Sequence, residues 1–169
     1  GLHDISTEFN VTVSSLNFMN ASFGTGAEIS YSGLNGPSVY PFTSLGVRLY
    51  HKFSSSLTYR GGLYDGDPGS RETYSSFHSD ISGKDGCFFI QELAHSFKEQ
   101  KNALGVWNYT SVRKKIVGHQ SEKDLSYGVY YIFEKNLADS LAMFTRFGWS
   151  NPKVWSSPEK VDTFLRRLG

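Results

Sequence analysis

The chain is short of cysteine: Cys87 is its single thiol, which excludes an internal disulfide. No His or Cys cluster has zinc spacing, and His3, His51, His78, His95 and His119 show no His-x-x-x-His pattern. Asp65-Gly66-Asp67 lacks the twelve-position pattern and closing Glu of a calcium loop, so it reads as a rigid turn with Pro68. No metal or cofactor is expected. There is no Gly-x-Ser-x-Gly elbow, and Gly24-x-Gly26 has no third glycine or strand–helix context, so no catalytic residue is assigned and no enzyme is expected. No apolar run reaches 18 residues, which excludes a membrane helix. The net charge of +1 offers no nucleic-acid partner, and Arg113-Lys114-Lys115 reads as a solvated loop. The chain opens on Gly1 without a signal segment, the expectation for a processed or excised piece of something longer.

What is present is aromatic and glycine-rich: 13 Phe, 10 Tyr and 17 Gly in 169 residues. The mean hydropathy of −0.36 is that of a soluble protein. Transmembrane barrels score the same way, because their strands alternate apolar and polar residues.

The apolar pattern has period two. Thr43, Leu45, Val47 and Leu49 share one face of a segment, with Ser44, Gly46, Arg48 and Tyr50 on the other. Leu57, Tyr59, Gly61 and Leu63 stand against Thr58, Arg60, Gly62 and Tyr64. Further strands are expected over Cys87 to Phe97 and Ala103 to Val112. Tyr127, Val129, Tyr131 and Phe133 mark a fifth, and Leu141, Met143, Thr145, Phe147 and Trp149 a sixth. Val161 to Leu168 is a possible seventh. Connections alternate between tight ones (Ser54-Ser55, Lys98 to Asn102, Asn136 to Ser140) and long ones (Gly66 to Gly86, Arg113 to Leu125, Ser150 to Lys160). Short inner turns and longer outer loops are the habit of an outer-membrane barrel.

In such a barrel the apolar faces look at lipid and the charged faces look inward. Arg48, Arg60 and Arg146 fall opposite the apolar face, as does Glu92 if Phe89 and Leu93 face lipid. The third strand is the weak one, since Gln91 and His95 fall on its outer face. Either His95 sits near the interface or the register shifts by one there. Period alone also fits a soluble sandwich whose core is the apolar face. The expected fold is therefore all-β, a partial antiparallel up-and-down transmembrane β-barrel of about 6–8 strands. It forms a single segment over residues 1–169, less regular over 1–41. There Phe9 to Val13 alternates briefly, and composition alone reads as a plain surface loop.

Several short motifs then occur in order. They are Asn20-Ala21-Ser22-Phe23-Gly24, Ser32-Gly33-Leu34-Asn35-Gly36-Pro37-Ser38, Pro41 with Leu45-Gly46-Val47-Arg48-Leu49, and Gly62-Leu63-Tyr64-Asp65-Gly66-Asp67-Pro68-Gly69. They continue with Ile90-Gln91-Glu92-Leu93, Leu104-Gly105-Val106-Trp107 and Phe144-Thr145-Arg146-Phe147-Gly148-Trp149. From about Phe9 to Trp149 the chain resembles the bacterial carbohydrate-selective porins of the OprB type. The resemblance implies a passive channel in the outer membrane of a Gram-negative bacterium, with sugars such as glucose and the membrane lipid as partners. It also implies that residues 1–41 hold a loop folded into the pore or packed on its mouth.

A sugar channel needs polar groups to replace water and flat aromatic faces for the ring. Arg48, Arg60, Glu92 and Arg146 suit the first role; Trp107, with Tyr109, suits the second if it faces inward with Gly105. The plainer alternative is an ion network that braces the wall. The chain departs from the family in strand number, since an aqueous channel takes roughly 16–18 strands. It also ends on Leu168-Gly169 without a terminal aromatic residue. A small barrel used as a binding or structural module, or a non-conducting remnant, stays open at this point, as does the oligomeric state.

Overall fold

The computed structural model describes residues 1–18, 24–33, 36–40, 42–68, 86–114 and 123–151. Seven strands form one antiparallel sheet in chain order. They are β1 (Leu2–His3), β2 (Ser44–Lys52), β3 (Leu57–Asp65), β4 (Cys87–Phe97), β5 (Gln100–Lys114), β6 (Lys123–Ala138) and β7 (Leu141–Ser150). The strands β2 to β7 are those the alternation predicts, but β5 runs past Ala103 to Val112 at both ends, from Gln100 to Lys114, and Arg113 and Lys114, expected in a solvated loop, pair with Asp124 and Lys123 of β6. The short β1, which sequence reasoning missed, sets Leu2 against Leu45 and His3 against Ser44. The alternation over Phe9 to Val13 does not become a strand, because Asn10 turns the chain with φ +58°. Val161 to Leu168 lies outside the described residues.

The turns at one end of the sheet are tight. Ser54 Oγ accepts the backbone N–H groups of Ser56 and Leu57 at 3.2 and 3.0 Å, closing β2 onto β3. Lys98 and Glu99 close β4 onto β5, and Asp139 and Ser140 close β6 onto β7. At the other end lie the strand ends Asp65 and Cys87, and Lys114 and Lys123, which are separated by longer stretches of sequence. This is the alternation expected of a barrel wall.

The register settles the faces. Leu57 through Asp65 pair with His95 through Cys87 without a break. The third predicted strand therefore keeps its register, and His95 sits next to the tight-turn end. Its neighbour Gln91 is served on the same face by Tyr59, whose hydroxyl donates to Oε1 at 3.2 Å. Irregularities fall instead between Asn108 and Val112 on β5 and between Asn136 and Ala138 on β6.

On the outward face Val47, Leu49, Leu104, Val106, Val129, Tyr131, Phe147 and Trp149 are between 37% and 71% exposed. No described protein layer covers them, so they are not the core of a sandwich. The core lies on the other face. Tyr64, Phe88, Ile90, Ala94, Ala103, Trp107, Tyr109, Tyr130 and Ile132 pack there against Ile5, Phe9 and Ile29 of the N-terminal segment. Burying each of the Ile and Phe side chains among them contributes about 1.5–3 kcal/mol. Residues 4–18, which follow β1, are therefore a strap laid across the inward face, not a plain surface loop. The inward face is not uniformly polar either: aromatic and aliphatic side chains hold the strap there, and charged ones surround them.

Candidate functional site

Antiparallel pairing carries the period-two pattern across the whole sheet. Tyr50 pairs with Arg60, Arg60 with Glu92, Glu92 with Gly105, Gly105 with Tyr130 and Tyr130 with Gly148. These residues make one row on the inward face. Arg60 Nη1 donates to Glu92 Oε1 at 2.9 Å, and the Arg60 guanidinium lies 5.9 Å from the Tyr50 ring centre. Glu92, only 1% exposed, also accepts the Tyr130 hydroxyl at 2.8 Å and the Asn10 backbone N–H at 3.1 Å, both on Oε2. A buried carboxylate is stable only when its oxygens are paired in this way.

Tyr130 reaches Glu92 by crossing β5 where there is no side chain. A Cβ on Gly105 would fall within the Tyr130 ring. Gly105→Ala is expected to destabilise the fold by about 1–3 kcal/mol, through forced displacement of Tyr130. Denaturant titration checks this; in a Tyr130→Ala background the cost of Gly105→Ala falls sharply.

A second set of contacts ties the strap to the wall. Arg146 donates to Asn10 Oδ1 at 2.8 Å and to the Asn10 carbonyl at 3.4 Å, and it also reaches the Gly24 carbonyl. Asn10 Nδ2 donates to Glu28 Oε1 at 3.0 Å. Glu28 in turn lies over Gly148, where any Cβ would collide with it. Arg48 is paired with Glu8. Lys101 Nζ donates to the Val11 carbonyl at 2.7 Å. Glu134 accepts the backbone N–H groups of Val13 and Ser14 at 3.2 and 2.6 Å and the Ser14 hydroxyl at 2.7 Å.

All five predicted site residues thus fall on the inward face, and four of them sit in polar contacts there. Trp107 faces inward with Gly105, but it is 3% exposed and packs against Phe88 and Tyr109 at 6.2 and 6.3 Å. In this arrangement it braces the core and offers no open ring face. The open aromatic face belongs to Tyr50, which is 62% exposed. It borders a cleft of about 720 Å³ whose lining includes Glu8, Arg48, Arg60 and Lys101.

Sequence reasoning missed Glu134, Lys101, Glu8 and Asn10. The first two were reachable by counting: Glu134 follows the outward Phe133, and Lys101 lies an odd step from the outward Leu104. The last two were not, because their placement depends on the fold of the strap. Among the described residues no group of His, Cys, Asp or Glu could hold a metal ion, and no helix is long and apolar enough to cross a membrane.

The profile of one protein family, "Carbohydrate-selective porin, OprB family", matches residues 1–169. No curated protein sequence matches the chain. Among solved structures, a high-pH structure of Pseudomonas putida OprB superposes with a TM-score of 0.77 at 16% identity. That superposition covers 92% of this chain and 42% of the Pseudomonas chain. The sheet is therefore a half-barrel of the OprB fold, and this chain spans less than half the length of that protein. Porins of this family are outer-membrane transport channels, not enzymes. With the family profile covering every residue and the sheet superposing on an OprB barrel, the chain belongs to the carbohydrate-selective porin family of the OprB type.

Proposed function

We propose that this chain forms part of the wall of an outer-membrane channel through which saccharides such as glucose diffuse passively. One observation carries the reading: a single sheet leaves a broad set of apolar side chains exposed on one face, while its ion pairs, beside the apolar patch that holds the strap, lie on the other. That is the reverse of a water-soluble sheet and the arrangement that lipid requires. Arg48, Arg60, Glu92, Trp107 and Arg146 stand on the lumen side. Within that set the cleft beside Tyr50 suits a sugar best: guanidinium donors from Arg48 and Arg60, the Glu8 carboxylate as acceptor, and one flat ring.

The test uses the intact protein in liposomes. Isotonic glucose is expected to swell vesicles that hold it and to leave empty vesicles unchanged. In planar bilayers glucose is expected to reduce the ion current saturably. Tyr50→Ala should weaken that block about fivefold, the equivalent of one aromatic contact of about 1 kcal/mol. A block unmoved by Tyr50→Ala would remove the cleft from the sugar path. One feature favours a second reading, a small barrel filled by its own chain: the strap occupies the inward face. Vesicles that remain impermeable to every small sugar would establish that reading.

A further inference from the structure

Lys101 and Glu134 face each other in register on β5 and β6, yet no salt bridge joins them among the described residues. Opposite charges in that position ordinarily pair with one another. Here each takes the strap instead. The Lys101 ammonium holds the Val11 carbonyl at 2.7 Å. The Glu134 carboxylate, 7% exposed, holds the N–H groups of Val13 and Ser14 and the Ser14 hydroxyl.

The short 3-10 turn Ser14–Asn17 that follows has no side-chain cap of its own. Its opening donors are left to find an acceptor elsewhere. Glu134 is that acceptor. Meanwhile Val13 and Leu16 are 71% and 76% exposed, while Phe18 meets the Phe144 ring of β7 edge-on at 6.0 Å. The strap therefore has two kinds of attachment. Ile5 and Phe9 fix its first part by burial, and Asn10 is held by Glu92 and Arg146. Over Val11 to Ser14 the grip is polar, through Lys101 and Glu134.

We infer that the facing pair Lys101 and Glu134 is a two-handed latch on the backbone of residues 11–14, and that it keeps an apolar turn from swinging into the channel. The pair acts through the strap, so both are positioning residues. The gating consequence rests on the channel reading above; the latch itself does not.

The experiment has two readouts on the intact protein. Hydrogen exchange in lipid nanodiscs follows the amides of Val13 and Ser14. Glu134→Ala is expected to speed their exchange by at least about tenfold, the equivalent of losing hydrogen bonds to a charged acceptor. Exchange in the Ile5 to Phe9 region stays slow. Lys101→Met, which keeps the stem and removes the donor, gives a smaller increase over the same residues. Glu134→Gln, which keeps an acceptor oxygen and the shape, falls between wild type and Glu134→Ala, and it carries the test if Glu134→Ala does not fold. Single-channel recording supplies the second readout. Wild type gives steady openings, and Glu134→Ala gives the same main conductance interrupted by brief partial closures. Unchanged exchange at Val13 and Ser14 in both Glu134 variants overturns the latch. Faster exchange with steady current overturns its gating role. A wild-type protein that passes no current refutes the channel reading, and the exchange result still decides the latch.

Discussion

Val106→Arg is expected to destabilise the folded protein in a lipid bilayer by about 2–4 kcal/mol, the cost of a charged side chain on the lipid face near the midplane of a membrane barrel. Val106 lies midway along β5, is 48% exposed and pairs with Val129 on β6 and Gln91 on β4. In a water-soluble protein a half-exposed valine of this kind is replaced by arginine at a cost within about 0.5 kcal/mol. The two outcomes are far enough apart to be decided by urea titration of the protein folded into vesicles. A cost near zero in lipid would mean that this face does not meet hydrocarbon, and the outward assignment of the whole sheet would go with it. Tyr131 makes a useful contrast on the same face, because its hydroxyl donates to Asn102 Oδ1 at 2.8 Å. It brings a polar tip without a charge.

The second large effect is expected at Glu92. Glu92→Ala removes the acceptor shared by Arg60, Tyr130 and the Asn10 backbone. Breaking one member of a buried ion pair typically costs 3–5 kcal/mol. The value here is expected at about 3 kcal/mol, because the Arg60 side chain is 28% exposed and retains part of its hydration. Glu92→Gln keeps the shape and one acceptor oxygen and is expected to lose about half as much. The informative comparison is the triple variant Glu92→Leu, Arg60→Leu, Tyr130→Phe. It removes every side-chain member of the network at once and is expected to recover most of the lost stability. Thermal unfolding in detergent measures all three. Recovery would show that the Glu92 ion pair is not a net source of stability.

The sheet was legible in the sequence because its faces repeat every second residue over long strands. Leu45, Val47 and Leu49 against Gly46, Arg48 and Tyr50 are enough to orient β2, and pairing then propagates that choice to β7. The tight turns were legible for a similar local reason: Ser54 satisfies its own turn. The strap was not legible. Its contacts join residues as far apart as Asn10 and Arg146, and the brief alternation over Phe9 to Val13 does not announce them. Asn10 shows why: its positive φ lets one residue present its N–H to Glu92 and its side chain to Glu28 and Arg146. That role has no sequence signature beyond a residue type that tolerates the conformation. Trp107 is the other instructive case. Counting along β5 gave its face correctly, while its depth was set by Phe88 and Tyr109 on either side.

Among the described residues each strand of the sheet pairs with its neighbours in chain order. A wall built this way has no crossing to disentangle when its length changes. Adding one hairpin between two existing ones would widen the sheet by about 9–10 Å, two strand spacings, and leave every other side chain on the face it already occupies. The width of the wall can then change in steps, hairpin by hairpin, without redesigning the parts already in place.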